Sequence, residues 1–329
     1  MELSDPVPHP PTGSFAPVMN RLYQLMRSSQ PSRAINKLSI LFADADLLTA
    51  PSTGLFFESC SRHLRVLDTR YWLDGLENAE ASRLLSQYLV GCDRLEQLYL
   101  PSNLDLTVPI FLADKVRLKK LVCRTPLRKV EDAVGLLSGL ADLERAKNAA
   151  EPEDRQSSFC LEVEGERIFD MLPQCAATTE LSEPLAFITD IRMSGRYVPD
   201  GTMNLWWHFL PNLKLIALRI TDNNLRFHST YGNAYVAVKD LARGFLSAYE
   251  SREGAFCMQV CLPKTPFLAT SHLRREMEAH MPAGMCRTGD TSPFAYYQPP
   301  QLRGEEDEAV VVLEYKLHNA IVQFLLYSE

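Results

Sequence analysis

The sequence has no apolar run near the ~18 residues that a membrane-spanning helix needs; its longest pieces are short, such as Val310–Leu313. A Walker phosphate loop is absent, as are Gly-x-Gly-x-x-Gly, Gly-x-Ser-x-Gly and His-Glu-x-x-His, so the common nucleotide, serine-hydrolase and zinc-protease signatures do not apply. There is no basic excess either: 34 Lys plus Arg stand against 41 Asp plus Glu, a net charge of −7. That balance argues against a general nucleic-acid binder. Met1–Pro11 is acidic and then proline-rich, without the basic and apolar segments of a secretory signal, so an intracellular protein of the cytoplasm or nucleus is expected. The 8 cysteines are scattered, as buried thiols of a reducing compartment would be. Cys257 and Cys261 are the one close pair, in a segment (Ala255–Leu262) that reads as a strand. Four strand residues span about 13 Å, too far for two thiolates on one zinc at about 2.3 Å each. No cofactor and no metal are expected.

What is present is a chain of 329 residues, 46% of them apolar, long enough to bury a large core without staples. Residues 1–17 hold five prolines and read as a disordered arm; 18–329 read as one domain, with surface loops at 150–158 and 282–308. Helical spacing of apolar residues predicts helices over Val18–Met26, Leu76–Val90 (closed by Gly91), Val130–Leu143, Val238–Tyr249 and Leu273–Met281. Alternation over Leu161–Glu166 predicts a strand, with Glu162, Glu164 and Glu166 on a wet edge. A turn is expected at Val198–Gly201. A C-terminal strand pair, Ala309–Leu317 and Ala320–Tyr327, must be covered, because an open apolar edge aggregates.

One pattern recurs. Leu95-Glu-Gln-Leu98-Tyr-Leu100-Pro-Ser-Asn103 satisfies L-x-x-L-x-L-x-x-N, the leucine-rich-repeat signature. Looser copies start at Ile35, Leu64, Leu118, Leu140, Leu185 and Leu213, with a further unit at Leu161 filling the longest gap. In each unit the first, fourth and sixth positions point inward, a short strand joins a parallel sheet, and a helix or loop returns the chain. The expected fold is therefore α/β, an irregular solenoid with a parallel sheet and return helices, closed by the C-terminal strand pair. Phrases such as Cys92-Asp-Arg-Leu-Glu-Gln-Leu-Tyr-Leu100 and Leu210-Pro-Asn-Leu-Lys-Leu-Ile-Ala-Leu218 resemble the degenerate leucine-rich-repeat proteins of fungi, especially the F-box type. The resemblance covers residues 35–220. It implies a non-catalytic module that recognises substrates, or acts as a scaffold, in a ubiquitin-ligase-type assembly. No F-box opening with a Leu-Pro pair is visible at the N-terminus.

Chemistry is sparse. The 7 histidines are scattered; Trp206-Trp207-His208 reads as a packed helix better than as a pocket. A rival reading is a small hydrolase with its site around His208 or Cys175, and a third is a structural subunit docking through the C-terminal hairpin. Charge is more informative. Lys115, Arg117, Lys119, Lys120, Arg124, Arg128 and Lys129 crowd one short stretch. In the repeat register, positions three, five and seven of each unit face a concave side. Position seven reads Arg70, Pro101, Arg124, Ala146 and Arg219; position three supplies Lys37, Lys120 and Asp142. Arg70, Tyr99, Lys120, Arg124 and Arg219 are the candidate partner-binding residues. A lane of this kind would attract another protein through an acidic or phosphorylated segment.

Overall fold

The computed structural model describes residues 35–39, 43–44, 49, 51–70, 72–74, 78–102, 104–107, 112–125, 127, 129–150, 158–164, 185–195, 209–220, 256–263, 286–287, 310–317 and 320–327. The proline-rich arm, the helices expected over Val18–Met26, Val238–Tyr249 and Leu273–Met281, the turn at Val198–Gly201, Asn103, Cys175 and His208 lie outside them, as does most of the 282–308 loop.

The chain divides into two units, 1–163 with 174–187 and 164–173 with 188–329. The first holds β1 (Lys37–Ser39), β2 (Ala43–Asp44), α1 (Pro51–Cys60), β3 (Val66–Asp68), β4 (Trp72–Asp74), α2 (Asn78–Leu89), β5 (Gln97–Leu100), β6 (Lys120–Cys123), α3 (Val130–Ala149) and β7 (Cys160–Glu164). Strands β1, β3, β5, β6 and β7 pair in that order, all parallel, while β2 and β4 form a separate parallel pair. The register aligns one leucine per strand: Leu38, Leu67, Leu98, Leu121 and Leu161. All five are buried. Because side chains alternate along a strand, Gln97 and Tyr99 then take the opposite, half-buried face of β5.

A turn precedes these strands and recurs. The amides of Leu64, Leu95 and Leu118 donate to the carbonyls of Ser61, Cys92 and Lys115 at 3.2, 3.1 and 2.8 Å. Next in the chain, the amides of Arg65, Glu96 and Lys119 reach the carbonyls of Asn36, Arg65 and Glu96 at 2.7, 2.7 and 2.8 Å, each a carbonyl just ahead of the neighbouring strand. The same short turn thus aims each strand at its neighbour and satisfies backbone groups that would otherwise be buried unpaired.

Helix α2 falls within the expected span and buries Ala81, Leu84, Leu85, Tyr88 and Leu89. Gly91 ends it at φ +80°, the left-handed conformation that glycine adopts without penalty. Ala79 is exposed in its first turn. Helix α1 had no counterpart in the sequence reading, because Ser52, Thr53 and Gly54 are weak helix formers. Pro51 at its first position is the signal that marks it. The Phe57 ring stacks on Tyr88 of α2, with centroids 4.4 Å apart.

Helix α3 runs past Leu143 to Ala149, which corrects the repeat assignment there. Leu140–Leu143 is helical, not a strand unit, and Asp142 and Ala146 therefore belong to no strand lane. Asp142 instead pairs with Arg145 one helical turn on. Leucines three apart share a helix face as readily as they begin a repeat. The next strand is β7, where alternation around Leu161 predicts one.

The second unit holds β8 (Asp190–Gly195), β9 (Leu215–Ile220), β10 (Phe256–Pro263), β11 (Cys286–Arg287), β12 (Val310–Leu317) and β13 (Ala320–Tyr327). Strands β8, β9, β10 and β13 are parallel neighbours, and β12 and β11 follow antiparallel. The C-terminal pair is a hairpin as expected; β13 is paired on both sides, between β10 and β12, and among the described residues β11 pairs the outer edge of β12 at Tyr315 and Lys316. Ile191 lies opposite Ile216, so in register Ile188, and not the expected Leu185, stands where Leu213 does. The class is α/β with predominantly parallel strands.

Candidate protein-interaction face

Three of the five candidate residues meet on the face of the first unit opposite its leucine ladder. Tyr99 projects from β5, and Lys120 from β6 one rung away. Arg70 follows β3, whose Asp68 lies opposite Tyr99. The Arg70 guanidinium carbon lies 5.0 Å from the Tyr99 ring centroid and the Lys120 ammonium 5.4 Å from it. Both distances suit attraction between a cation and the negative ring face. The phenol donates to Gln97 Oε1 at 3.1 Å. Beneath it, the Thr69 hydroxyl and amide both donate to the Tyr99 carbonyl, at 2.7 and 3.0 Å, and fix this part of the backbone.

The cations carry carboxylate partners that the lane reading did not foresee. Asp68 accepts from Arg70 Nη2 at 2.7 Å and from Nε at 3.0 Å, a bidentate pair with orientation as well as energy. Glu162 of β7 accepts from Lys120 at 2.9 Å. The triple-glutamate strand expected to face solvent thus supplies a half-buried partner. Across the strands the face runs Asp68 with Arg70, Tyr99, Lys120, then Glu162: it is charge-balanced, with cations nearest the ring and carboxylates at its flanks. Side-chain exposures of 18% for Arg70 and 23% for Lys120 leave both reachable from water.

The other two candidates stand apart. Arg124 is exposed just beyond β6 and takes no part in these contacts. Arg219 is in the second unit, opposite Ser194 of β8 and Cys261 of β10. Burial pushes the Cys261 thiol up to about 11, against the pull of Arg219 and Arg192. On the same strand face, Gln259 donates to Gln323 at 3.0 Å and Gln323 to Glu314 at 2.7 Å, a buried chain whose polar groups answer one another. Burial and nearby Glu314 push Cys257 up to about 12. Both thiols stay protonated at neutral pH, and a protonated thiol is a poor nucleophile.

Asp68, Gln97 and Glu162 were missed. Counting register across the leucine ladder finds them, since Asp68 and Glu162 each follow their ladder leucine by one residue and Gln97 precedes Leu98 by one, on the same face as Tyr99. Among the described residues no group of three His, Cys, Asp or Glu side chains is placed to hold a metal, and no helix is long and apolar enough to cross a membrane. Compared with protein-family models, curated proteins and solved structures, the chain matches none.

Proposed function

We propose that this chain is a non-catalytic protein-interaction module of irregular leucine-rich-repeat build, and that another protein binds the strand face around Tyr99. The observation that carries the reading is the Tyr99 ring held between Arg70 and Lys120. A half-exposed aromatic ring on rigid strands, flanked by oriented charges, has the composition of an interface hot spot. The recurring turn and the one-leucine-per-strand ladder support the solenoid, because each unit repeats both the backbone bonds and the buried position of the one before. Asp68 and Glu162 refine the expected preference for an acidic or phosphorylated segment. An anion must compete with two seated carboxylates, so the ring supplies the contact area while the charges set orientation and encounter rate. A substrate-recognition or scaffold role in a ubiquitin-ligase-type assembly of the cytoplasm or nucleus extends this reading; co-purification of a cullin with the tagged chain tests it.

The direct test compares capture from lysate by the wild-type chain and by Tyr99→Ala, with thermal midpoints as a folding control. A partner retained by the first and lost by the folded second is expected. A partner set captured equally by both overturns the assignment.

A further inference from the structure

The turns ahead of β3, β5 and β6 do more than aim strands. Each buries its first residue (Ser61, Cys92, Lys115) and its fourth (Leu64, Leu95, Leu118) and exposes its third, while the second is exposed in the first two turns and half-buried, as Val116, in the last. Because the three strands are adjacent and parallel, the turns stack at the strand spacing of about 4.8 Å. Their third positions form one row, His63, Arg94 and Arg117, all exposed. Arg62, at the second position of the first turn, is exposed beside this row. Arg65, Glu96 and Lys119 form a second row just behind it, where Glu96 sits between Lys119 at 2.8 Å and Arg65 at 3.4 Å. Against a chain of net charge −7, the described residues of this rim include the cations Arg62, Arg65, Arg94, Arg117 and Lys119 and the carboxylates Asp93, Glu96 and, just ahead of the third turn, Asp114.

We propose that this rim is a second binding surface, and that it receives an acidic face of an α-helix from a partner protein. Two features select that occupant. The first is spacing. The row from His63 to Arg117 spans two strand spacings, about 9.6 Å. Acids at i and i+7 of a helix, with one at i+3 or i+4 between them, span about 10.5 Å. Same-face acids at i, i+2 and i+4 of an extended peptide span about 13.6 Å and overshoot the row. The second is the interleaved carboxylates. A nucleic-acid backbone presents phosphates without a gap and would meet Asp93 and Glu96, whereas a helix leaves space between its acidic residues. The rim lies at the entrance to the strands that carry the Tyr99 face, and none of its charged side chains is among those that contact the Tyr99 ring.

The probe is a stapled, fluorescein-labelled helical peptide with glutamates along one face. An isomer with the same glutamates scattered around the helix and a single-stranded oligodeoxythymidylate serve as comparisons. The striped peptide should bind the full chain at least about tenfold more tightly than the scattered one, and raising salt from about 50 to about 200 mM should weaken it as screening shortens. Arg94→Glu with Arg117→Glu should abolish that binding at an unchanged thermal midpoint. Should the double reversal unfold the chain, the neutral pair Arg94→Gln with Arg117→Gln should weaken binding in the same direction. Tyr99→Ala should leave it intact. Equal affinity for both peptides, tighter binding of the oligonucleotide, insensitivity of the folded rim variants, or loss with Tyr99→Ala would each overturn the proposal.

Discussion

Lys147, near the C-terminal end of α3, donates to the carbonyl of Leu118 at 3.0 Å and so ties the return helix to the turn that launches β6. The same ammonium reaches the Val116 carbonyl at 2.7 Å and lies 5.8 Å from the Phe187 ring centroid. One turn earlier on the helix, Glu144 accepts from the Phe187 amide at 3.1 Å. A buried lysine and a buried glutamate thus take up backbone groups of two loops that no strand satisfies.

Lys147→Met should therefore destabilise the first unit by about 1–3 kcal/mol, since the buried Leu118 carbonyl and the part-buried Val116 carbonyl lose their donor while the methylene packing is kept. Urea denaturation followed by far-UV circular dichroism measures it. A change within error would show that water takes over both acceptors.

Alkaline pH should act on this chain with two opposite signs. Burial lowers Lys147 from 10.5 to about 8, partly offset by Glu144. Between those values the unfolded state holds a proton that the folded state has released, so this group makes stability rise with pH. Burial raises Cys60 and Cys257 from 9.0 to about 12, and Cys92 and Cys261 from 9.0 to about 11. Their contribution is present below 9 and is lost as pH climbs through that window, because the unfolded thiols ionise first. The thiols outnumber the lysine, and thermal midpoints should fall between pH 9 and pH 11. Lys147→Met should fall more steeply than wild type over the part of the range below 10.5.

Two glycines should respond oppositely to alanine. A Cβ on Gly135 of α3 would sit 1.7 Å from the Leu106 carbonyl oxygen, so helix or loop must move, at about 1–3 kcal/mol. Gly54 of α1 has nothing within 4 Å of that position, and Gly54→Ala should stabilise by about 0.5–1 kcal/mol through its better helix propensity. Thermal midpoints moving the same way for both would contradict the packing described.

Reversing Arg70 is not a neutral surface change. Arg70→Glu would face Asp68 across a largely buried bidentate pair, and leaving that carboxylate without its donors should cost about 1–3 kcal/mol. Arg124→Glu, at an exposed position, should shift stability by less than about 0.5 kcal/mol. Comparing the two midpoints separates a charge that holds the fold from one that only faces water.

Leu98→Ala should cost about 2–5 kcal/mol, the lost transfer energy plus the cavity left in the middle of the leucine ladder. Chemical denaturation measures it. A loss below about 1 kcal/mol would mean that the neighbouring leucines collapse into the gap.

The sequence by itself determined the α/β class, the strands that carry Leu67, Leu98, Leu121, Leu161 and Ile216, the helix closed by Gly91, and the C-terminal hairpin. Each rests on a local period or a local turn, and such signals survive without knowledge of neighbours. Leu140 shows the limit of a local signal, since leucines three apart fit a helix face and a repeat strand alike, and only burial along the whole of α3 decided between them. What the tertiary structure alone decided is pairing. Asp68 is two residues from Arg70 in sequence, but Glu162 is forty-two from Lys120, and parallel strand order brings that ion pair together. The same order gathers Arg70, Tyr99 and Lys120 around one ring and turns an expected basic lane into a charge-balanced face. Net charge and spacing count the ions in a segment, whereas strand registry decides which opposite charge each one meets.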